Sequence, residues 1–313
     1  MKKKAAPAAQ RGVSMEQNEK RALAEAMRAS APKQAQPRIS AEEMDRYPCS
    51  VRPVAVDVPG EEPVQVYLTV PFQVTPGAPI FVNYHGGGFI RGRSERDELF
   101  CRRLACTFQC VVVDVDYALA PDYPFPTAVH QARAVALWAK AQAADLDCDP
   151  EKLILLGQSA GGNLVANVCM AEVDEAAVRP LAAVITYAPL DMKTDPVEKF
   201  HPERDMPAER ARNYNALYCV PEKAGDWHVS PLFAPAERLA VFPQTLIISA
   251  AEDSLAPENE EFALKLARAG VEVTCKRFAG CVHGFFINRM DAWEDGIALI
   301  HRYLRSVLQE AAR

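Results

Sequence analysis

No apolar run in this chain approaches the length of a membrane-spanning helix, so no helical span is expected. Nor does a secretion signal follow the basic start Met1-Lys-Lys-Lys4. The next residues, Ala5-Ala-Pro-Ala-Ala-Gln-Arg11, are too short and too interrupted for its apolar region. Positive charge is in deficit: 35 Lys and Arg face 41 Asp and Glu, for a net charge of −6 and a pI near 5.6. That balance argues against nucleic acid or an anionic membrane as the main partner. The nine cysteines have no regular spacing and are odd in number, which suits reduced thiols in a cytoplasm rather than a disulfide framework. Cys101, Cys106 and Cys110 fall on one predicted helix with no histidine beside them, so core or surface thiols are expected there and no zinc site. There is no internal repeat, no lysine at P-loop spacing and no dinucleotide fingerprint opening a helix. Neither a metal nor a cofactor is expected.

What is present is an ordinary globular composition, 49% apolar and 24% charged over 313 residues. That length suits one α/β domain with an appendage, or two small domains. Residues 1 to about 12 read as disordered. Ser14-Met-Glu-Gln17 and Ser40-Ala-Glu-Glu43 each match a capping box and predict short helices, the second ending before Pro48. These helices precede any strand, so they form either a loose arm or half of a lid. Val51–Val58 and Val64–Val70 predict an antiparallel hairpin around Pro59-Gly60. Strands follow at Ile80–Tyr84, Cys110–Asp116, Leu153–Leu156, Leu181–Tyr187, Thr245–Ala250 and Val271–Phe278. Helices are expected over Ser94–Gln109, Thr127–Ala144, Asn163–Met170, Pro257–Ala269 and Trp293–Gln309. Eight strands, the later ones alternating with helices, imply a mostly parallel sheet covered on both faces. From Leu190 to about Phe233 the pattern breaks into a charged, Pro-rich stretch with one helical piece near Pro207–Tyr218. An excursion of that length is usually functional.

The chemistry concentrates at Gly157-Gln158-Ser159-Ala160-Gly161, which lies between a buried strand and a helix. A strand that turns abruptly into a helix at a serine is a nucleophile elbow, and glycines two residues either side relieve its steric clash. A serine hydroxyl needs a base, and the base needs a group to orient it. His283, in the glycine-flanked loop after the last strand, is placed to be that base; His301 sits within the terminal helix. Two carboxylates end the preceding strand, and Asp253 is the expected acid, with Glu252 in reserve. Glu258 and Glu260, in the first turn of the next helix, better suit its N-terminal dipole. His85-Gly86-Gly87-Gly88 follows a strand, and its N–H groups, with that of Ala160, suit a developing oxyanion. His85 itself is expected to brace that loop.

Four blocks, His85-Gly-Gly-Gly88, Asp116-Tyr-Ala-Leu-Ala-Pro-Asp-Tyr-Pro-Phe-Pro126, Gly157-Gln-Ser-Ala-Gly-Gly162 and Val282-His-Gly-Phe285, make residues from about 50 to 310 resemble the hormone-sensitive-lipase-like carboxylesterases of the α/β-hydrolase superfamily. The resemblance implies an α/β-hydrolase fold with an eight-stranded sheet. It also implies a helical cap made of residues 1–50 and an insertion at about 190–233 within a catalytic domain of 51–313. The nucleophile falls on Ser159, the acid on Asp253, the base on His283 and the oxyanion donors on Gly87, Gly88 and Ala160. The implied activity is metal-independent hydrolysis of short acyl esters through an acyl-enzyme, and the cysteine usage adds a cytoplasmic location. A small-molecule ester is the expected partner, with possible homodimer pairing through the edge strand after the elbow. Aryl-amide or formamide hydrolysis is the near alternative; a non-catalytic binding protein on the scaffold is the distant one. Two departures stand out. Gln158 replaces the Asp common before the nucleophile, and Asp253-Ser254-Leu255 replaces Asp-Pro-Leu.

Overall fold

The structure, a computed structural model, describes residues 8–30 and 38–313. Its centre is one sheet with strand order β1-β2-β4-β3-β5-β6-β7-β8. The strands are β1 (Cys49–Val56), β2 (Val64–Pro71), β3 (Ala78–Tyr84), β4 (Val111–Asp116), β5 (Cys148–Gln158), β6 (Ala182–Thr186), β7 (Gln244–Glu252) and β8 (Val273–Val282). β1 and β2 form the expected hairpin, β2 meets β4 antiparallel, and every later pairing is parallel. All seven residues of β3 are buried, which is why its apolar run does not alternate with polar residues.

Nine α-helices stand among the described residues: α1 (Ala8–Ala29), α2 (Ala41–Asp45), α3 (Glu95–Phe108), α4 (Thr127–Gln142), α5 (Ala160–Met170), α6 (Ala208–Tyr218), α7 (Ala236–Leu239), α8 (Ala256–Arg268) and α9 (Trp293–Glu310). Side chains of α4, α5 and α8 share one core cluster with Ile80, Val82 and Leu155. Those of α3 and α9 share the other with Phe81, Val112 and Leu156. Alternate residues of the same strands thus feed two cores, one on each face.

Several expectations need correction. The first helix begins at Ala8 and runs through Ser14, because the alanines and long side chains ahead of Ser14 favour helix on their own. Residues 8–12 are therefore helical, and residues 1–7 of the expected disordered stretch lie outside the described residues. Ser40 does cap α2, accepting from the Glu43 N–H at 3.2 Å. Cys110 is not on α3: Gln109 ends that helix in a left-handed conformation, and Cys110 is buried at the foot of β4. The strand after the elbow, β6, is not an edge. It is hydrogen-bonded on both flanks, to β5 and β7, so the unpaired edge on that side of the sheet belongs to β8.

The excursion after β6 carries α6 and otherwise follows irregular and single-turn segments. Buried polar contacts hold it down. The Asn163 amide donates to Pro189 O and Val229 O at 2.9 Å each, and Glu258 accepts from the Leu190 and Asp191 N–H groups and from Lys199 Nζ. α1 lies against the loops after β3 and β4. Arg28 donates to Ile90 O at 2.7 Å and to Ala120 O at 3.1 Å, while Arg91 donates in return to Met27 O and Arg28 O.

Candidate active site

The elbow is built as its sequence requires. Ser159 sits between β5 and α5 with φ 52° and ψ −121°, a region that side-chain-bearing residues seldom occupy. Its N–H donates to Thr186 O at 2.9 Å, which fixes the turn to β6. A Cβ on Gly157 would collide with Gly161 O, and one on Gly161 with Tyr84 O, so both glycines are steric necessities.

β7 and β8 deliver the other two side chains. His283 Nε2 lies 2.9 Å from Ser159 Oγ, and its Nδ1 lies 2.7 Å from Asp253 Oδ2. An ionised carboxylate only accepts, so Nδ1 carries the proton and Nε2 presents a lone pair to the serine hydroxyl. Asp253 is 1% exposed, and its Oδ1 accepts from the Leu255 N–H at 3.0 Å; the histidine side chain is 27% exposed. Asp253, not Glu252, therefore meets the histidine. The Tyr187 ring packs edge-on beneath His283, with centroids 5.1 Å apart.

Burial alone would favour the neutral imidazole. The Asp253 charge and hydrogen bond, with the charges of Asp205 and Glu258, outweigh it, so the His283 pKa is raised above 6.5. Sequence reasoning missed Asp205. It comes from the excursion, and both its carboxylate oxygens are buried without a hydrogen bond of normal geometry. The polar groups facing it are the Ser254 hydroxyl and the Ser254 and Met206 N–H groups; burial first, then the Asp253 charge, raises its pKa. Next to it, Arg204 donates to Gly280 O at 2.6 Å and to Asp291 Oδ1 at 2.9 Å, while Asp291 Oδ2 accepts from the Val282 N–H. The excursion is thereby pinned to the loop that holds His283. No motif marks Asp205 or Arg204, because their roles arise only when the excursion folds back.

The glycine loop lies directly on the elbow: a Cβ on Gly86 would stand 3.3 Å from Ser159 Cβ. Gly87 and Gly88 have φ values of 120° and 60°. Among the described residues no acceptor takes the N–H of Gly87, Gly88 or Ala160. Ala160 directly follows Ser159 at the start of α5, and Gly87 and Gly88 follow the Gly86 that lies against it. His85 braces the loop as expected. It is buried, stacked on Tyr117 at 4.2 Å, bonded through Nδ1 to Gly86 O at 2.6 Å, and its own carbonyl accepts from Tyr117 Oη. α6 packs on the same loop, with the Tyr214 ring against Gly88 and Tyr218 stacked on Phe89 at 3.6 Å. Among the described residues no group of three or more His, Cys, Asp or Glu side chains is placed to hold a metal ion.

A family model for the α/β-hydrolase fold matches residues 81–287. The chain belongs to the α/β-hydrolase family, in its hormone-sensitive-lipase-like carboxylesterase branch. This hydrolase is 32% identical to an arylesterase of Saccharolobus solfataricus over 72% of its own length and 73% of the relative's. It is 30% identical to a carboxylesterase of Mycobacterium tuberculosis, over 75% and 74% of the two chains. Among solved structures it resembles a thermostable carboxylesterase cloned from a metagenomic library, with a TM-score of 0.76, 31% identity, and coverage of 96% and 98%. A Pyrobaculum calidifontis esterase aligns with a TM-score of 0.75 and 27% identity over 95% and 94% of the chains.

Proposed function

We propose that Ser159, His283 and Asp253 are the catalytic triad of this carboxylic ester hydrolase, and that its substrates are short acyl esters. The observation that carries the reading is the unbroken chain of contacts from Asp253 Oδ2 through His283 to Ser159 Oγ, at 2.7 and 2.9 Å. His283 Nε2 takes the serine proton as Oγ attacks the ester carbonyl. The oxyanion gathers on the N–H groups of Gly87, Gly88 and Ala160. The imidazolium then protonates the departing alkoxide, leaving an acyl-serine and a free alcohol. Water, deprotonated by the same nitrogen, attacks the acyl-serine; collapse releases the acid and returns the proton to Ser159. Asp253 holds the productive tautomer and stabilises the imidazolium. Short acyl groups are favoured because Tyr214 and Tyr218 crowd the glycine loop. In this reading residues 1–50, with α1 and α2, join the insertion at about 190–233 as the cap over a catalytic domain of residues 51–313.

The test is hydrolysis of p-nitrophenyl esters from acetate to palmitate by the wild type and Ser159→Ala. Activity should peak at short chains and fall by a factor on the order of a million in the variant. A folded wild type inactive on every ester would move the assignment to amides. We also propose that the free edge of β8 joins two copies into a homodimer, which a monomer mass in equilibrium sedimentation would reject. A cytoplasmic location is supported by nine unpaired thiols, and recovery from another cell fraction would refute it.

A further inference from the structure

Gln158, the residue before the nucleophile, has no part in the proposed chemistry, yet it heads a buried polar chain. Its Nε2 donates to Asn83 Oδ1 at 2.8 Å, and Asn83 Nδ2 donates to Asp114 Oδ1 at 2.8 Å. Asp114 Oδ2 accepts from Arg93 Nε at 2.5 Å, and Arg93 Nη2 reaches Glu98. Strand register explains the alignment. Asn83 is paired with Asp114 on β4 and with Leu156 on β5, and Gln158 is two residues beyond Leu156, on the same face. Gln158, Asn83 and Asp114 are all buried. One end of the chain is therefore the elbow. The other is Arg93, just beyond the loop that carries Gly87 and Gly88.

The chain has a direction. Burial raises the Asp114 pKa and the Arg93 charge opposes that rise. The geometry supplies the direction: Oδ2 accepts from the Arg93 guanidinium, which can only donate, and Oδ1 accepts from the Asn83 amide. Asn83 must therefore direct its N–H to Asp114, leaving its carbonyl oxygen for residue 158. Only a donor fits there; the glutamine amide is one, and an ionised carboxylate is not. The geometry points to Gln158 as a positioning residue. With Asn83 and Asp114 it ties the nucleophile elbow to the exit of the glycine loop, and this network demands a hydrogen-bond donor at position 158. This inference rests on the reading of Ser159 as the nucleophile.

Gln158→Glu, of the same shape, tests it through the pH dependence of kcat. Besides Arg93, the charged or titratable groups around Asp114 are Asp97, His85 and Cys101, and these stay constant throughout the series. An ionised carboxylate at position 158 would face the Asn83 oxygen, so kcat should fall about tenfold above neutral pH, with KM within about twofold, and recover as acid protonates the new side chain. In Asp114→Asn/Gln158→Glu the amide at 114 can donate to the Asn83 oxygen. Asn83 can then turn its N–H to the introduced carboxylate, and the new pH limb should vanish. A charge acting on His283 through space would persist in that double variant. A pH profile of Gln158→Glu that overlays the wild type, or a double variant no better than the single, overturns the inference. Should Gln158→Glu not fold, Gln158→Met decides: kcat must drop at every pH, and a wild-type kcat overturns the inference. Loss of activity in Ser159→Ala tests the underlying reading separately.

Discussion

His283, the base in the proposed mechanism, lies among three carboxylates of different standing. Asp253 bonds to it, whereas Asp205 and Glu258 act on it as charges only. Burial opposes the imidazolium, but the three together raise the pKa, and a base must be unprotonated to act. The acid limb of kcat/KM should therefore have its midpoint above the 6.5 of an unperturbed imidazole. Asp205→Asn removes one negative charge without touching the hydrogen bonds of the triad. The midpoint should move to lower pH while the plateau rate stays within about twofold. A pH–rate profile settles this, and an unmoved limb would show that Asp205 does not reach His283 electrostatically. At this scale the meeting of Ser159, His283 and Asp253 was legible because steric and chemical demands force local patterns around them; their catalytic roles are our proposal. Asp205 was not, because nothing near it in sequence announces a fold-back onto Ser254. Asn83 and Asp114 were visible only as polar residues inside apolar strands. Their joining depends on which strands become neighbours.

Helix α9 shows how an element can carry a cost. Ile297, Ile300, Leu304 and Val307 make its buried stripe, and His301 rides beside them, edge-on to Phe108 at 5.7 Å. Burial pushes the His301 pKa down to about 4, with the charges of Arg305 and Arg103 adding to it, and its Nε2 has no hydrogen-bond partner. The folded state thus resists a proton that the unfolded chain accepts below about 6.5. Its share of stability is whole above that pH and shrinks as pH falls toward 4. Replacing His301 with Leu should flatten the acid side of a melting-temperature profile between those limits; parallel profiles would count against it. Element types were largely legible because apolar periodicity separates strand from helix. Ends were less so: β8 runs four residues past its expected end at Phe278, to Val282, which sets His283 directly at the strand terminus. The helical start at Ala8 shows propensity prevailing over a capping pattern.

On the scale of the whole molecule, the order of elements implied a parallel sheet, and the parallel pairings from β3 to β8 bear it out. The strand order was not readable from local sequence, since β4 comes between β2 and β3 through a long-range crossover. The same holds for the placement of α1, which supplies none of the three side chains proposed for catalysis. Its hold on the loops is nonetheless specific, through backbone carbonyls at Ile90 and Ala120 and the reciprocal reach of Arg91. A chain starting at Arg38 keeps all eight strands and should melt cooperatively. Its kcat/KM on p-nitrophenyl acetate should fall on the order of a hundredfold, since small misplacements of catalytic groups cost that much. Undiminished turnover would show that the glycine loop holds its shape unaided. If turnover falls while the chain still melts cooperatively, fusions or edits at the amino terminus will register in the kinetics, and a thermal screen alone will pass enzymes that have lost their rate.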